Sequence, residues 1–285
     1  MHSKAVKIHL LKIGSCRHFE CLAIRGGRFA PVTFPALSAL IIHPDAGPIL
    51  FDTGYADHFR DATDRFPERL YRLATPMQLP AQQRLEQQLQ RHGLRLKDIR
   101  HCIVSHFHGD HIAGLRDLPS AAIIAMKSGY EVMRRRGRWG GVFQGILPHL
   151  LPEDLPRRLT FAETYPEVDL PNPWQLLGRG YDLLGEGSLI GVPLPGHTAG
   201  HMGLLVRDEQ GRAVLLAADS SWSLNAVREN IPPSRVVRPI IHSWSAYRRT
   251  LNSLHTLLGR HAELVVLPSH CDEGLAQYDR TWSAQ

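Results

Sequence analysis

The segment VSHFHGDHIAG, which begins at residue 104, places three histidines and an aspartate within six consecutive positions. Residues two apart in an extended chain face the same side, so His106 and His108 can point to one position in space. The glycine that follows permits a sharp turn, which lets Asp110 and His111 face a second position nearby. Imidazole and carboxylate groups are typical zinc ligands. The segment therefore predicts metal binding.

Other potential ligands follow apolar segments elsewhere in the chain. They are Asp52 in FDTG, His197 in PGHTAGH, Asp219 in AADS and His270 in LPSH. Because layered α/β folds place functional sites at strand ends and in the loops that follow, we expect these side chains to meet the histidine cluster. So many nitrogen and oxygen donors fit two divalent ions better than one, and a carboxylate such as that of Asp219 can bridge them.

A pair of divalent ions would give this site hydrolytic chemistry. Zinc lowers the pKa of a bound water to about 7, which makes hydroxide available at neutral pH. With two ions about 3.5–4 Å apart, one polarises a carbonyl or phosphoryl oxygen while the other delivers the hydroxide. The sequence therefore predicts a metal-dependent hydrolase with two divalent ions, which we expect to be Zn²⁺, with iron, manganese and cobalt as alternatives.

An isolated histidine is more often an ordinary surface or core residue than a ligand, and we interpret the histidines outside these motifs in that way. They include His2, His18, His43, His58, His92, His149, His255 and His261. Cys271 adjoins His270, but histidines and carboxylates already form a full ligand set. We therefore expect the Cys271 thiol to pack in the core.

Short apolar segments and amphipathic helices must position these groups. Strands are predicted at residues 5–13, 36–42 and 48–54, and in IRHCIVSH, AAIIAM, SLIGVPLPGH, MGLLVRD, RAVLLAADS and ELVVLPSH. Apolar residues on one face predict a helix over residues 81–92 and another from Trp244 to Leu258. Strands that alternate with helices indicate an α/β fold with helices outside two packed sheets.

The segment from about 130 to 180 interrupts this regular pattern. It is rich in proline and contains Trp139, Phe143 and Trp174. Long irregular segments inside a regular fold are commonly lids or binding loops. We therefore expect one domain that spans residues 1–285, with a lid formed by residues at about 130–180.

Composition and charge narrow the classes of protein and of binding partner that this sequence can represent. Hydrophobic residues make up 43% of the chain and charged residues 21%, as in ordinary soluble globular proteins. The formal charge of +6 includes a run of Arg134, Arg135, Arg136 and Arg138, which we interpret as a solvated face. We expect a small-molecule substrate rather than nucleic acid. A homodimer is one alternative for the oligomeric state. With four cysteines, no export signal and no run of eighteen apolar residues, we expect a cytoplasmic protein without a membrane partner.

SHFHGDH resembles the HxHxDH signature of the metallo-β-lactamase fold superfamily. The order of Asp52, this signature, GHTAGH, Asp219 and His270 is similar to the five-motif pattern of that superfamily, and the resemblance extends from about residue 36 to 272. It implies an α/β fold, namely a four-layer αββα sandwich of two mixed β-sheets flanked by helices, with the metal ions at one edge.

The resemblance also implies a role for each ligand. The first ion would be held by His106, His108 and His197. The second ion would be held by Asp110, His111 and His270, with Asp219 as the bridge. Asp110 and Asp219 are the catalytic carboxylates in this scheme. Asp52 and His201 would make hydrogen bonds that orient the ligands.

Within the superfamily, the sequence is most similar to the quorum-quenching lactonases, which use metal hydroxide to open N-acyl-homoserine lactones. In that branch a tyrosine lies three positions after the bridging aspartate and contacts the substrate. This chain has Trp222 at that position, which we interpret as a wall of the substrate pocket. The role of the missing tyrosine would then be lost, altered or supplied by Tyr55 or Tyr181.

Three alternatives stay open. A thioester hydrolase similar to glyoxalase II shares GHTAGH, but it has a basic C-terminal helical domain, and only fifteen residues follow His270 here. A phosphodiesterase is supported only by the arginine run. A catalytically silent metal-binding protein usually lacks a ligand, whereas this chain has the full set. Zinc-dependent β-lactamases use different ligands for the second ion, so antibiotic hydrolysis is not expected.

Overall fold

The computed structural model describes residues 4–283 and contains two β-sheets. The strands of the first sheet are β1 (Lys7–Phe19), β2 (Pro31–His43), β3 (Gly47–Phe51), β4 (Met77–Gln78), β5 (His101–Ile103), β6 (Ala122–Ala125) and β7 (Leu159–Phe161). Their order across the sheet is β4-β1-β2-β3-β5-β6-β7. The strands of the second sheet are β8 (Glu167–Asp169), β9 (Arg179–Asp182), β10 (Leu189–Pro193), β11 (Met202–Arg207), β12 (Ala213–Ala218) and β13 (Val265–Pro268), in the order β13-β12-β11-β10-β9-β8.

Helices connect and cover the two sheets. The α-helices are α1 (Glu20–Ala23), α2 (His58–Ala62), α3 (Glu68–Ala74), α4 (Leu85–Gln90), α5 (Gly109–Ile112), α6 (Lys127–Arg135), α7 (Arg138–Phe143), α8 (Leu155–Arg158), α9 (Leu224–Arg228), α10 (Trp244–Arg260) and α11 (Asp272–Ser283). Short 3₁₀ helices occur at Ala81–Gln83, Leu96–Asp98, Leu115–Asp117, Pro148–Leu150, Ala162–Thr164, Trp174–Leu177 and Arg235–Ile240. Within residues 4–283, no helix combines the length and apolar character that crossing a membrane requires.

Both sheets are mixed, as predicted. In the first sheet β3, β5, β6 and β7 run parallel, whereas β1 and β2 form an antiparallel hairpin. In the second sheet only β12 and β13 are parallel neighbours. Parallel neighbours need a crossover between them, and α10 supplies the one from β12 to β13.

The central strands are apolar on both faces, and this places each sheet between two buried layers. On β2, Ala39 and Ile41 belong to a buried cluster that both sheets share, while Leu40 between them packs on the helix side. On β12, Leu216 belongs to the shared cluster and Leu215 packs with α9 and α10. Strands buried on both faces need such continuous apolar runs. The layers are helices, sheet, sheet and helices, so the predicted αββα sandwich is confirmed.

Some predicted elements differ in extent. The helix expected over residues 81–92 is divided, because Arg84 has an extended backbone with ψ of 142° between Ala81–Gln83 and α4. Strand β1 continues to Phe19, well past the predicted end at residue 13, because it pairs with β2 along its whole length. That pairing shifts register near Gly14, whose positive φ of 81° favours glycine.

The segment at about 130–180 is more regular than its sequence indicates. Its first part forms α6 and α7, while β7 pairs with β6 in the first sheet. The chain then crosses to the second sheet, where β8 pairs with β9 and β9 pairs with β10. The part before about residue 150 contains no strand, whereas the later part contributes strands to both sheets.

Candidate metal centre

Five strands lead into the candidate site. Asp52 follows β3, His106 lies after β5, His197 after β10, Asp219 after β12 and His270 after β13. Within each sheet these strands run in the same direction, because β3 and β5 are parallel, β12 and β13 are parallel, and β10 is separated from β12 by one antiparallel strand. Their carboxyl ends therefore meet at one edge, the usual location of sites in open α/β sheets.

The structure brings the seven predicted ligands together in two groups. One group consists of His106, His108, His197 and Asp219, and the other of Asp110, His111 and His270. Within each group, one nitrogen or oxygen atom per residue lies within 4.8 Å of the corresponding atoms of the others. This spacing gives each group the ligand number that one divalent ion requires.

The carboxylate of Asp219 contacts both groups. Its Oδ1 lies 3.3 Å from His111 Nε2, and its Oδ2 lies 3.1 Å from His270 Nε2. The same Oδ2 lies 3.2 Å from His197 Nε2, which belongs to the first group. One carboxylate between two sets of imidazoles is the arrangement that a bridging ligand needs.

Unpaired buried nitrogens test whether these residues fit metal ions. His106 Nε2 and His108 Nε2 are both buried and have no hydrogen-bond partner among the described residues. Each such buried atom costs about 1–3 kcal/mol of stability unless some group pairs with it. The donors around them are imidazole nitrogens and carboxylate oxygens, which zinc and similar ions prefer. The residues present therefore fit a pair of divalent ions.

The charges of the site also favour cations. Burial and neighbouring imidazoles hold the pKa of His106 well below its usual value and lower the pKa of His108 to about 3. Both side chains are therefore neutral at pH 7 and have a lone pair for a metal ion. Burial also lowers the pKa of His270, but the Asp219 carboxylate outweighs this effect and raises it to about 9. The same balance holds the pKa of His111 well above its usual value.

Asp52 lies behind His111 rather than among the ligands. The buried Asp52 carboxylate accepts hydrogen bonds from the Ser105 amide (2.8 Å) and the Ser105 hydroxyl (2.7 Å). His111 Nδ1 lies 2.7 Å from the same carboxylate. A proton on Nδ1 leaves the lone pair of Nε2 directed to the metal position, so Asp52 orients this ligand and sets its tautomer.

Other contacts orient the remaining ligands. His201 Nε2 accepts a hydrogen bond of 3.0 Å from the Asp219 amide, so this histidine positions Asp219 from behind. His270 Nδ1 lies 2.7 Å from the carbonyl oxygen of Pro35, which directs Nε2 toward the ligand groups. The Cys271 sulfur is buried and accepts the amide hydrogens of Leu224 and Gly274. The sulfur of Cys271 is therefore used in packing.

The three candidates for substrate binding have different surroundings. Trp222 lies at the site, where its Nε1 donates a hydrogen bond of 3.1 Å to Asp219 Oδ2 and its ring lies 5.9 Å from that of His197. Tyr55 is buried in the core on the helix side, edge-on to Phe59, and burial together with the charge of Asp110 raises the pKa of its phenol. This differs from the prediction, because the sequence showed that Tyr55 follows a strand but not that it turns inward.

Tyr181 also has surroundings other than those predicted. It lies on β9 opposite Gly191 of β10, within the sheet rather than at the strand ends. Burial, together with the charges of Glu163 and Glu167, raises the pKa of its phenol. Among the described residues, no recorded contact joins Tyr181 to the ligand groups.

Sequence analysis missed several groups near the ligands, and Ser105 and His18 are two of them. Ser105 links the ligands to Asp52, because its hydroxyl also lies 3.0 Å from His106 Nδ1. Its position directly before the first histidine of SHFHGDH was the only available signal. His18, interpreted as an ordinary residue, is close enough to Asp110 and His270 for their charges to influence its pKa, which burial lowers. It comes from β1, far from the motif in sequence.

A narrow opening lies against His108 and His197. Its volume is about 20 Å³, and its walls include Val132, Gln144 and Ile146 from the segment around α6 and α7. A cavity of this size holds about one water molecule. A ligand larger than water fits this opening only if its walls move.

Replacement of Trp222 by phenylalanine tests the hydrogen bond to Asp219. The variant keeps an aromatic ring beside His197 but loses the N–H that Asp219 Oδ2 accepts. Because one hydrogen bond to a charged group contributes about 1.5–3 kcal/mol, we expect about tenfold weaker metal binding in a Co²⁺ titration. Trp244→Phe is the matched control, with unchanged affinity expected. Equal affinities of Trp222→Phe and the unmodified protein would contradict this role.

Comparison with known proteins agrees with this geometry. The family model described as Metallo-beta-lactamase superfamily matches residues 32–270. The probable metallo-hydrolase Rv2300c of Mycobacterium tuberculosis is 29% identical over 231 residues, which cover 76% of this chain. This chain spans only 63% of the length of that relative. N-acyl homoserine lactonase AttM of Agrobacterium fabrum is 24% identical over 286 residues, which cover 96% of this chain and 97% of the relative.

Solved structures share the architecture. One is an N-acyl homoserine lactone hydrolase with the product N-hexanoyl-L-homoserine bound at its catalytic metal centre. It aligns with a TM-score of 0.71 over 96% of this chain and 97% of that chain, at 20% identity. At this identity the likeness concerns the fold.

Proposed function

This chain belongs to the metallo-β-lactamase superfamily, and on that premise we propose that it is a metallo-hydrolase that opens N-acyl homoserine lactones. The observation that carries the proposal is the position of Asp219, whose carboxylate lies 3.1–3.3 Å from ligands of both groups. Hydrolysis by two ions needs such a shared carboxylate. The choice of a lactone is supported by the similarity to the lactonase AttM over 96% of this chain.

Two bound Zn²⁺ ions would supply Lewis acidity that lowers the pKa of water and polarises the lactone carbonyl. His106, His108 and His197 would hold one ion, and Asp110, His111 and His270 the other, with Asp219 shared. The chain's own contribution is to fix these donors before substrate arrives. Asp52 and His201 do so through hydrogen bonds to His111 and to the Asp219 amide.

We propose that Asp110 transfers the proton. Its Oδ2 lies 3.4 Å from His270 Nε2 and 3.9 Å from His111 Nε2, so Oδ1 is the oxygen outside these contacts. We assign to Oδ1 the proton that the attacking water loses. The water oxygen forms a bond to the ring carbonyl carbon, the ring C–O bond breaks, and the proton passes to the departing ring oxygen. The product is the open N-acyl homoserine.

Residues before about position 150, rather than the whole segment at 130–180, form the proposed lid. Gln144 and Ile146, which follow α7, line the opening. On α7 itself, Trp139 is 52% exposed and Phe143 is 69% exposed. Phe66 of the neighbouring turn packs edge-on against Trp139 at 5.1 Å. This exposed aromatic surface beside the opening suits the apolar acyl chain of a lactone substrate.

Replacement of Phe143 by serine tests this lid. Removing one apolar contact worth about 1.5 kcal/mol should raise the KM for an N-decanoyl lactone about tenfold, with kcat and metal content unchanged. The KM for an N-butyryl lactone should change less than twofold, because its short chain does not reach the aromatic surface. Leu176→Ser, a change at another residue that is 50% exposed, is the control. Parallel changes in KM for both lactones would contradict the assignment.

The function itself is tested with three substrate classes. Protein loaded with zinc, cobalt or manganese is assayed with an N-acyl homoserine lactone, a thioester and bis(p-nitrophenyl) phosphate, and bound metal is measured by elemental analysis. We expect the lactone to have the highest kcat/KM and two ions per chain to be bound. A higher kcat/KM for the thioester or the phosphodiester would overturn the lactonase proposal. Hydrolysis of none of them, with two ions bound, would overturn the hydrolase proposal as well.

A further inference from the structure

A second cavity lies between α10, the segment after α9 and the turn after α1. Its volume is about 500 Å³, which is within the range of small-molecule sites. Its charged and aromatic walls are formed by Arg25, Arg248, Arg249 and Trp244. None of the candidate metal ligands lines it, so it differs from the opening beside His108 and His197. We call it the arginine cleft.

The three arginines of the cleft have no carboxylate partner in the part of the chain that the structure describes, as is true of other exposed arginines, but these three line one cavity. Arg25, Arg248 and Arg249 make no ion pair with any carboxylate whose side chain the structure describes. Many other arginines do, namely Arg28, Arg72, Arg84, Arg95, Arg135, Arg138, Arg158, Arg179, Arg212 and Arg228. Three positive charges therefore converge on one cavity without a negative partner from the described part of the protein. Such a cavity attracts anions.

Hydrogen bonds between the segments hold the walls of the cleft in place. The amide of Arg25 donates to the carbonyl of Pro232 at 3.0 Å, which joins the turn to the segment after α9. Asn230 Nδ2 donates to Asn252 Oδ1 at 3.0 Å, which joins that segment to α10. These bonds join the three segments that form the cleft. A preformed cavity loses little conformational entropy when a ligand binds.

We propose that the arginine cleft binds a small phosphomonoester that carries a flat ring, as a nucleoside monophosphate does. Guanidinium groups form paired hydrogen bonds with phosphate oxygens, and a phosphomonoester at pH 7 carries a charge of about −1.5 to −2. The half-buried indole of Trp244 offers a surface on which a flat ring can stack. Three arginines with one aromatic wall thus match both parts of such a ligand.

The test is calorimetric titration of the metal-loaded protein with AMP, ribose 5-phosphate, inorganic phosphate and adenosine. We expect saturable binding of AMP that is at least tenfold tighter than that of ribose 5-phosphate or inorganic phosphate. Adenosine, which lacks the phosphate, should not bind measurably. Equal affinity for AMP and ribose 5-phosphate would overturn the assignment of the ring to Trp244, and absence of saturable AMP binding at millimolar concentration would overturn the proposal.

Single substitutions locate the site. Arg25→Ala, Arg248→Ala and Arg249→Ala should each weaken AMP binding about tenfold, whereas Arg260→Ala, which removes an exposed arginine of α10 outside the cleft, should not. Thermal melting of each variant checks that it is folded. Arg25 lies on a different segment from Arg248 and Arg249, so local damage to α10 would not explain a loss of binding in all three variants. AMP affinity that is unchanged in all three cleft variants would place the phosphate elsewhere, such as at the metal centre, and would overturn the proposal.

Discussion

Replacement of Asp219 by alanine is expected to remove most bound metal and to lower kcat/KM at least about 1,000-fold. The side chain is 4% exposed, and its two oxygens lie 3.1–3.3 Å from imidazole nitrogens of both ligand groups. Without this charge, two divalent cations would share a buried pocket that has lost its common carboxylate. Groups that act as a unit lose most of their effect when one member is removed. Elemental analysis and steady-state kinetics with a lactone substrate measure the two effects.

Two further variants separate the loss of metal from the loss of fold. Asp219→Asn keeps the volume of the side chain but removes its charge, so metal content should fall almost as far as in the alanine variant. Asp182→Asn weakens a buried carboxylate that accepts three backbone amide hydrogens far from the ligand groups in sequence. It should lower the melting temperature and leave two ions bound. Two ions retained in Asp219→Ala would contradict a shared carboxylate.

The ligands could be predicted from the sequence because their positions follow from short local patterns. Residues that directly follow an apolar run can be identified from the local sequence, and the direction of the strands brings such residues to one edge of a sheet. Asp219 and His270 illustrate this, because β12 and β13 are parallel neighbours whose ends meet. The αββα layers follow from runs such as AVLLAA, which are apolar on both faces of the strand.

The orientation of side chains around the ligands could not be predicted in the same way. His18 approaches Asp110 and His270 because β1 continues past its apolar part, and only pairing with β2 extends it that far. Trp222 was predicted at the pocket, but its N–H is used by Asp219 rather than left for a substrate. Both facts depend on tertiary contacts, which residue spacing does not encode.

The segment at 130–180 contains strands that an alternating apolar pattern does not predict. Strands β7 and β8 have only three residues each, and all six of their residues are partly or fully exposed. Runs this short carry almost no alternating pattern, so edge strands of a sheet resemble loops in the sequence. Because β7 and β8 belong to the sheets, we propose a lid only for the part before about residue 150.

Replacement of Asp52 by alanine is expected to cost about 3–5 kcal/mol of stability and to weaken metal binding 10–100-fold. The Asp52 carboxylate is fully buried and accepts hydrogen bonds from the Ser105 amide, the Ser105 hydroxyl and His111 Nδ1. Alanine leaves all three donors buried without a partner. It also frees the tautomer of His111, so Nε2 no longer presents its lone pair in a fixed direction. Chemical denaturation and competitive zinc titration measure the two losses.

Thr53→Val is the matched control for this prediction. Thr53 is also fully buried, but its hydroxyl donates to the backbone carbonyl of His111 and accepts from the Gly114 amide, and it does not touch the imidazole. The variant should lose about 1–2 kcal/mol of stability with unchanged zinc affinity. If both variants lost metal affinity in proportion to stability, Asp52 would act only through the fold. Both variants disturb the backbone around His111, but only Asp52→Ala removes the contact with its ring. A loss of zinc affinity confined to Asp52→Ala therefore means that the carboxylate fixes the tautomer and orientation of the His111 imidazole.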